Sequence, residues 1–220
     1  MVFSLSVRAE GRRKRILGHR RLGNRRILEY LIRHTSTIAQ ASNVDVIWID
    51  EKRQKGQRFG ERFTNAFVDL FEQGYKKVIS IGNDCPDLSP DIINKALTTL
   101  QQNTLVLGPT VDGGDYLIGV HREDFVAQDW EQLPWNTSGL HQAFLQLAEA
   151  GKMQVNCLDI LADIDDQQSL LQYLKCSPRT VFTRFVINVF QENYRPAREN
   201  MTHVRDFRLF SNHPLRAPPQ

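Results

Sequence analysis

Apolar positions along the chain fall into two alternating patterns, short continuous runs and longer stretches with a repeat of three to four residues. The runs at residues 2–7 (VFSLSV), 44–49 (VDVIWI), 77–82 (KVISIG), 104–110 (TLVLGPT), 115–120 (DYLIGV) and 153–158 (MQVNCL) read as strands. Between them, Ile27, Leu28, Leu31, Ile32 and Ile38 recur at helical spacing behind Asn24, a plausible cap. Phe63, Ala66, Phe67, Leu70 and Phe71 form one apolar stripe that stops at Gly74. Ser89 followed by Pro90 is a helix-start signal for residues 90–100. Further helices are expected around residues 137–150 and after residue 165. Strand alternating with helix predicts a three-layer α/β/α sandwich around a mostly parallel mixed sheet.

The pattern changes beyond Pro178. Phe182, Phe185, Val186 and Val189 mark one more amphipathic helix, and the remainder has weak periodicity and a Pro-rich end. The expected organisation is therefore one domain over residues 1–178 and a C-terminal extension over 179–220. That extension wraps the domain, contacts a partner subunit as in a homodimer, or is disordered.

Composition narrows the class. With 220 residues, 41% hydrophobic and 24% charged, the chain has the make-up of an ordinary globular protein. No apolar run approaches the length of a membrane span, and the segment MVFSLSVRAEGRRKR lacks a signal-peptide layout. Cys85, Cys157 and Cys176 are scattered and odd in number, which points to a reducing, cytoplasmic setting. Charge is unevenly placed. Residues 1–26 hold nine Lys or Arg against one Glu, so this segment carries +8 in a chain whose net charge is +3. Such a cluster is a solvated arm, a loop for a nucleotide's phosphates, or a nucleic-acid contact.

Acidic residues gather where strands should end. In GNDCPDL, Asp84 follows Gly82 by two residues, and Pro86 forces the chain out in an extended turn. A carboxylate there either ligates a divalent cation beside phosphate oxygens or caps the next helix, a role also open to Asp87. In LGPTVDGGDYLIG, Gly113 and Gly114 permit a close backbone approach to a ligand, flanked by Asp112 and Asp115. In LADIDDQQSL, Asp163 and Asp165 alternate and face one side of an extended segment, with Asp166 as a helix cap. Cys85 reads as a small buried thiol, and Trp135 as a packing anchor or a stacking platform.

These motifs, in this order from about Gly56 to Leu171, resemble the bacterial glycosyltransferase-like family of radical-SAM/selenodomain-associated transferases. Through it they resemble molybdenum-cofactor guanylyltransferases and sugar-phosphate nucleotidyltransferases, all of the nucleotide-diphospho-sugar transferase (GT-A) fold. The resemblance implies that Asp84, in an Asp-x-Pro pattern with Pro86, ligates the metal bridging the nucleotide's phosphates. The family's Asp-Gly-Gly-Tyr-Tyr-Leu-x-Gly corresponds to Asp112 through Gly119, with Asp115 in place of the first Tyr. Its Trp-Ser-Thr corresponds to Trp135, Asn136 and Thr137, and its Asp-Ile-Asp to Asp163, Ile164 and Asp165. Its basic N-terminal loop is represented by Gly11 and Lys14; both prolines are missing, and Arg15 and Ile16 replace Thr-Arg.

The expected function is a metal-dependent glycosyl- or nucleotidyltransferase acting on a nucleotide or nucleotide-sugar and an acceptor. Asp84 and Asp165 would hold Mg²⁺ or Mn²⁺. Gly11, Arg12, Arg13, Lys14, Arg15, Arg58, Gly113 and Gly114 would contact the nucleotide's phosphates. Asp112 would position the acceptor or act as general base. The competing expectations are a non-catalytic nucleotide-binding or partner-docking module, and polyanion binding through the basic arm.

Overall fold

A computed structural model describes residues 1–18, 20–42 and 44–193, so the expected extension past residue 193 lies outside the described residues. Six strands form one sheet: β1 (Val2–Phe3), β2 (Trp48–Ile49), β3 (Lys77–Ile81), β4 (Thr104–Pro109), β5 (Asp115–His121) and β6 (Gln154–Cys157). Their order is β2-β1-β3-β5-β4-β6, parallel throughout except for β5, which runs against both its neighbours. The expected mixed, mostly parallel sheet is what the chain forms. Because β5 is reversed, its first residue, Asp115, lies on the same edge of the sheet as the last residues of β1, β3 and β4.

Alternation along the strands divides the core into two faces. Leu105 and Leu107 of β4, with Ile118 and Val120 of β5, face α3 (Phe59–Glu72), α5 (Ala127–Glu131) and α6 (Leu140–Ala150). Phe63, Phe67, Phe71, Trp130 and Phe144 pack there, each burial contributing about 2–3 kcal/mol. Ile79 and Ile81 of β3 and Val106 of β4 face α4 (Pro90–Thr99) and the end of α2 (Arg21–Ala41) on the other side. A third cluster joins α2 to α7 (Gln167–Cys176) and α8 (Val181–Asn193) through Ile27, Leu28, Leu31, Leu170, Tyr173, Phe182 and Val186. Layers of helix, sheet and helix result.

Several local expectations need correction. Residues 2–7 do not form one strand: pairing ends at Phe3, and α1 (Val7–Arg13) begins after Ser6, whose side chain accepts from the Ala9 N–H. Strand β2 is likewise only two residues long. Helix α2 starts at Arg21, before Asn24, because Asn24 is occupied elsewhere. Its amide oxygen accepts from the Leu17 N–H at 3.2 Å, and its amide nitrogen donates to the Lys14 carbonyl at 2.8 Å. Ser89 caps α4 as its sequence implies, whereas Asp87 accepts from the Tyr173 hydroxyl at 2.6 Å and so ties the β3 exit to α7.

Candidate active site

Along the edge where β1, β3 and β4 end, a cavity of about 570 Å³ opens. This is where open α/β sheets bind ligands. Four of the stretches of chain that line it bear its carboxylates. The first runs from Ser4 through α1 to Lys14, and the second is Gly82, Asn83 and Asp84 past β3. The third is Thr110 to Asp115 between β4 and β5, and the fourth includes Asp163 and Asp165. Hydrogen bonds lock these stretches together. Asn83 donates to Ser4 Oγ at 2.7 Å, the Gly82 N–H to the Tyr116 carbonyl at 2.8 Å, and the Ile164 N–H to the Asp84 carbonyl at 3.0 Å. A bridge between Thr110 and Leu161 lays the fourth stretch beside the third.

Lys14 sits among the acids. Its ammonium lies 2.7 Å from Asp84 Oδ2 and 2.5 Å from Asp165 Oδ1. Burial alone would pull its pKa down; Asp84, Asp165 and Glu10 outweigh that, so it stands above the ordinary lysine value. Asp112, Asp163 and Asp165 place carboxylate oxygens within 4.8 Å of one another, close enough to hold one cation. Asp163 bears the cost of this crowding. Burial, then Asp84, Asp112 and Asp165, push its carboxyl up to about 7. Three hard oxygen donors suit Mg²⁺ or Mn²⁺, whose other positions water and phosphate oxygens can fill, so the donor set fits the expected metal. The set centres on Asp112, Asp163 and Asp165; Asp84, expected as a ligand, lies outside it, and Lys14 pairs with both Asp84 and Asp165.

Other sequence-predicted residues divide between the cavity and its surroundings. Arg13, Lys14, Asp84, Asp112, Gly114 and Asp165 line it. Asp112 is held in a turn, its Oδ1 accepting from Thr110 Oγ1 at 2.5 Å and from the Gly114 N–H at 3.0 Å. Gly113 turns away. With φ at +93° it packs its backbone on Ser138, where any Cβ would overlap the Ser138 carbonyl, and its own carbonyl accepts from His141 N–H. Arg58 is exposed at the start of α3, and Arg62, one turn later, reaches the cavity instead. Gly11, Arg12 and Arg15 line a separate cleft, because the segment expected as a loop is helical to Arg13.

Trp135 is a packing anchor that also borders the cavity. Its Nε1 donates to the Trp130 carbonyl at 2.7 Å and its ring packs on Gly60, yet one side faces the cavity with Phe59. Cys85 is buried and its thiol pKa lies well above the usual value, as an inert packing residue requires. Two features have no signal in the sequence, the pairing of Asp115 and the burial of Glu10. Asp115 is buried against His141, Oδ1 to Nδ1 2.8 Å, and burial raises its pKa to about 6. Glu10, also buried, lines the wall near Lys14 with its pKa raised by burial. Neither has a local pattern: Asp115 and His141 are 26 residues apart, and Glu10 stands alone in a basic run.

Residues 33–137 match the family model described as "Uncharacterized protein conserved in bacteria (DUF2064)". No curated protein matches the chain. Among solved structures, a protein from Desulfovibrio desulfuricans G20 described as a "putative nucleotide-diphospho-sugar transferase" superposes with a TM-score of 0.67. The two are 20% identical, over 87% of this chain and 94% of the other. The homolog of Mycobacterium tuberculosis rv0371c from Mycobacterium sp. strain JC1 is 13% identical, with a TM-score of 0.47 over 87% of this chain and 98% of its own. The Desulfovibrio superposition and the mostly parallel mixed sheet bear out the expected fold class: the chain has the α/β/α nucleotide-diphospho-sugar transferase (GT-A) fold.

Proposed function

We propose that the protein is a divalent-cation-dependent transferase whose donor is a nucleotide or nucleotide-diphospho-sugar. One observation carries the reading. The cavity is lined by six carboxylates (Glu10, Asp84, Asp112, Asp115, Asp163 and Asp165) against three cationic side chains, Arg13, Lys14 and Arg62. A diphosphate entering such a field alone would be repelled, so a phosphate-bearing donor needs a cation to accompany it. Asp112, Asp163 and Asp165 would hold Mg²⁺ or Mn²⁺, with Asp84 adjoining through Lys14. When bound, the ion would supply Lewis acidity and charge neutralisation to the diphosphate. The description of the Desulfovibrio protein as a nucleotide-diphospho-sugar transferase points the same way.

The chain's own groups suit the remaining tasks. Lys14 and Arg13 would bind phosphate oxygens of the donor. Arg62, Phe59 and Trp135 would form the opposite wall and exclude water from the reacting atoms. Asp112 has Oδ1 fixed by Thr110 and Gly114, which leaves Oδ2 either to meet the cation or, where Asp163 and Asp165 carry the ion, to take the proton of an acceptor hydroxyl. In glycosyl transfer the bond from sugar carbon to the nucleoside diphosphate would break as the acceptor oxygen bonds that carbon. In nucleotidyl transfer pyrophosphate would leave as an acceptor phosphate attacks. Calorimetry with nucleoside triphosphates and nucleotide-sugars, with and without Mn²⁺, should find one ligand whose binding needs the metal and is lost in Asp84→Ala and Asp163→Asn. Binding indifferent to metal and to both substitutions would refute the proposal.

The ion pairs of Lys14 favour a second reading, in which the ammonium serves as a built-in cation and the fold binds a nucleotide without turnover. Metal-independent binding with no product released over hours would identify that case.

A further inference from the structure

On the opposite side of α1 from the cavity lies a cleft of about 490 Å³ between α1 and the start of α2. Five arginines line it. Arg8 and Arg12, four residues apart, share one face of α1, and Arg15 follows just past its end; Arg21 and Arg25 come from the first turns of α2. Arg25 pairs with Glu29, but Arg8, Arg12, Arg15 and Arg21 form no ion pair with any described residue. All four are exposed and solvent screens their mutual repulsion, yet no described carboxylate answers their charge around the hollow.

Two more features have the same sense. The start of α2, a 21-residue helix, has no acidic residue in its first turn and no side-chain cap, so its positive dipole end meets arginines. That arrangement is unfavourable unless an anion stands between them. Gly11, in the middle of α1, weakens the helix by about 0.5–1 kcal/mol relative to alanine. Sterics do not demand it, since a Cβ there would meet only Leu28 Cδ1, at 3.7 Å. Its effect is to keep the floor of the cleft open.

We propose that this cleft is a second phosphate site, separate from the cavity, which takes a multiply charged phosphate group of pyrophosphate size. Planar guanidinium forks in this number match phosphate oxygens, and a concave site suits a compact anion better than an extended backbone. The group comes either from a soluble diphosphate or from the headgroup of an anionic lipid, and the site stands whatever the cavity catalyses.

The test uses the full chain, without divalent cations, in calorimetric titration with inorganic pyrophosphate. Arg8→Gln/Arg21→Gln should weaken binding by about tenfold or more per arginine removed, the worth of a charge-assisted hydrogen bond. A charge-matched control, Arg122→Gln/Arg179→Gln, alters two exposed arginines outside the cleft and should bind as wild type. Co-sedimentation with phosphatidylcholine vesicles, with and without phosphatidic acid, whose terminal phosphate is multiply charged, separates the sources. Capture by the anionic vesicles alone, lost in Arg8→Gln/Arg21→Gln, assigns a lipid headgroup; pyrophosphate binding without capture assigns a soluble ligand. The proposal is overturned if pyrophosphate fails to bind, or if both double variants lose it equally. Binding of a nucleic-acid duplex but not of pyrophosphate, reduced by the cleft substitutions, would overturn it too.

Discussion

Replacing Lys14 with methionine removes the one charge that holds three stretches of chain together. At 2.7 Å, its attraction to Asp84 is about 6 kcal/mol at an effective dielectric of ~20. Desolvating the two charges offsets a large part of that. Asp165 is 51% exposed, so its pairing is screened and adds little. What matters more is what the substitution leaves behind: Asp84 and Asp163, part-buried, with no compensating cation. Breaking a buried pair from one side costs about 3–5 kcal/mol, and the partial exposure here places Lys14→Met at about 3 kcal/mol. With a urea slope of ~2 kcal/mol/M, the unfolding midpoint should fall by about 1.5 M at pH 7, followed by tryptophan fluorescence. Mn²⁺ should then narrow the gap. Wild type must displace its own ammonium to use all the acids, whereas the variant offers them free. Tenfold tighter Mn²⁺ binding by the variant would recover about 1.4 kcal/mol under saturating metal. An unchanged midpoint, or a deficit that Mn²⁺ leaves as large as before, would refute this account of the acids and their lysine.

Three further outcomes are expected. Asp115 has its pKa raised from 3.8 to about 6, so its contribution to stability is fully present below pH 3.8 and is lost as pH rises through 6. Asp115→Asn should therefore remove about 3 kcal/mol of pH dependence over that window, and thermal midpoints with the same slope as wild type would contradict it. Trp130→Ala should destabilise by about 3–5 kcal/mol in urea titration, because the ring is 1% exposed and touches Phe67, Phe125 and Phe144. Gly60→Ala should cost about 1–3 kcal/mol and shift tryptophan emission, since its Cβ would lie 2.6 Å from Trp135 Cδ1. Unaltered emission would show that Trp135 does not depend on that gap.

Elements with strong, redundant signals were legible in the sequence. The aromatic stripe of α3 and the Ser89-Pro90 start of α4 each name one structure, and the acid-bearing motifs locate the strand ends. Asp163 and Asp165 alternate as an extended segment requires, which brings both to the cavity. The N-terminal segment was not legible. In SVRAEGRRKR a glycine and a run of arginines hide the helical period, and the stabilising contacts come from α2, far beyond a local window. The same reason hid the Asp115–His141 pair and the burial of Glu10, which exist only once the sheet has closed. The position of Lys14 was legible as a positive charge, but its pairing with Asp84 depends on the direction in which α1 ends.

Lys14 lies 70 residues before Asp84 and about 150 before Asp165, and this spacing bears on how the protein comes to life on the ribosome. The lysine emerges first and stays without its partners while most of the sheet is synthesised. The last two acids arrive only after β6. A half-made chain therefore owns a lysine and one or two acids but no complete pocket. Closure of such long-range contacts is slow, so the final approach of residues 163–165 should be a late step of folding. The cavity and the fold are then completed together, at the moment these far-separated segments meet.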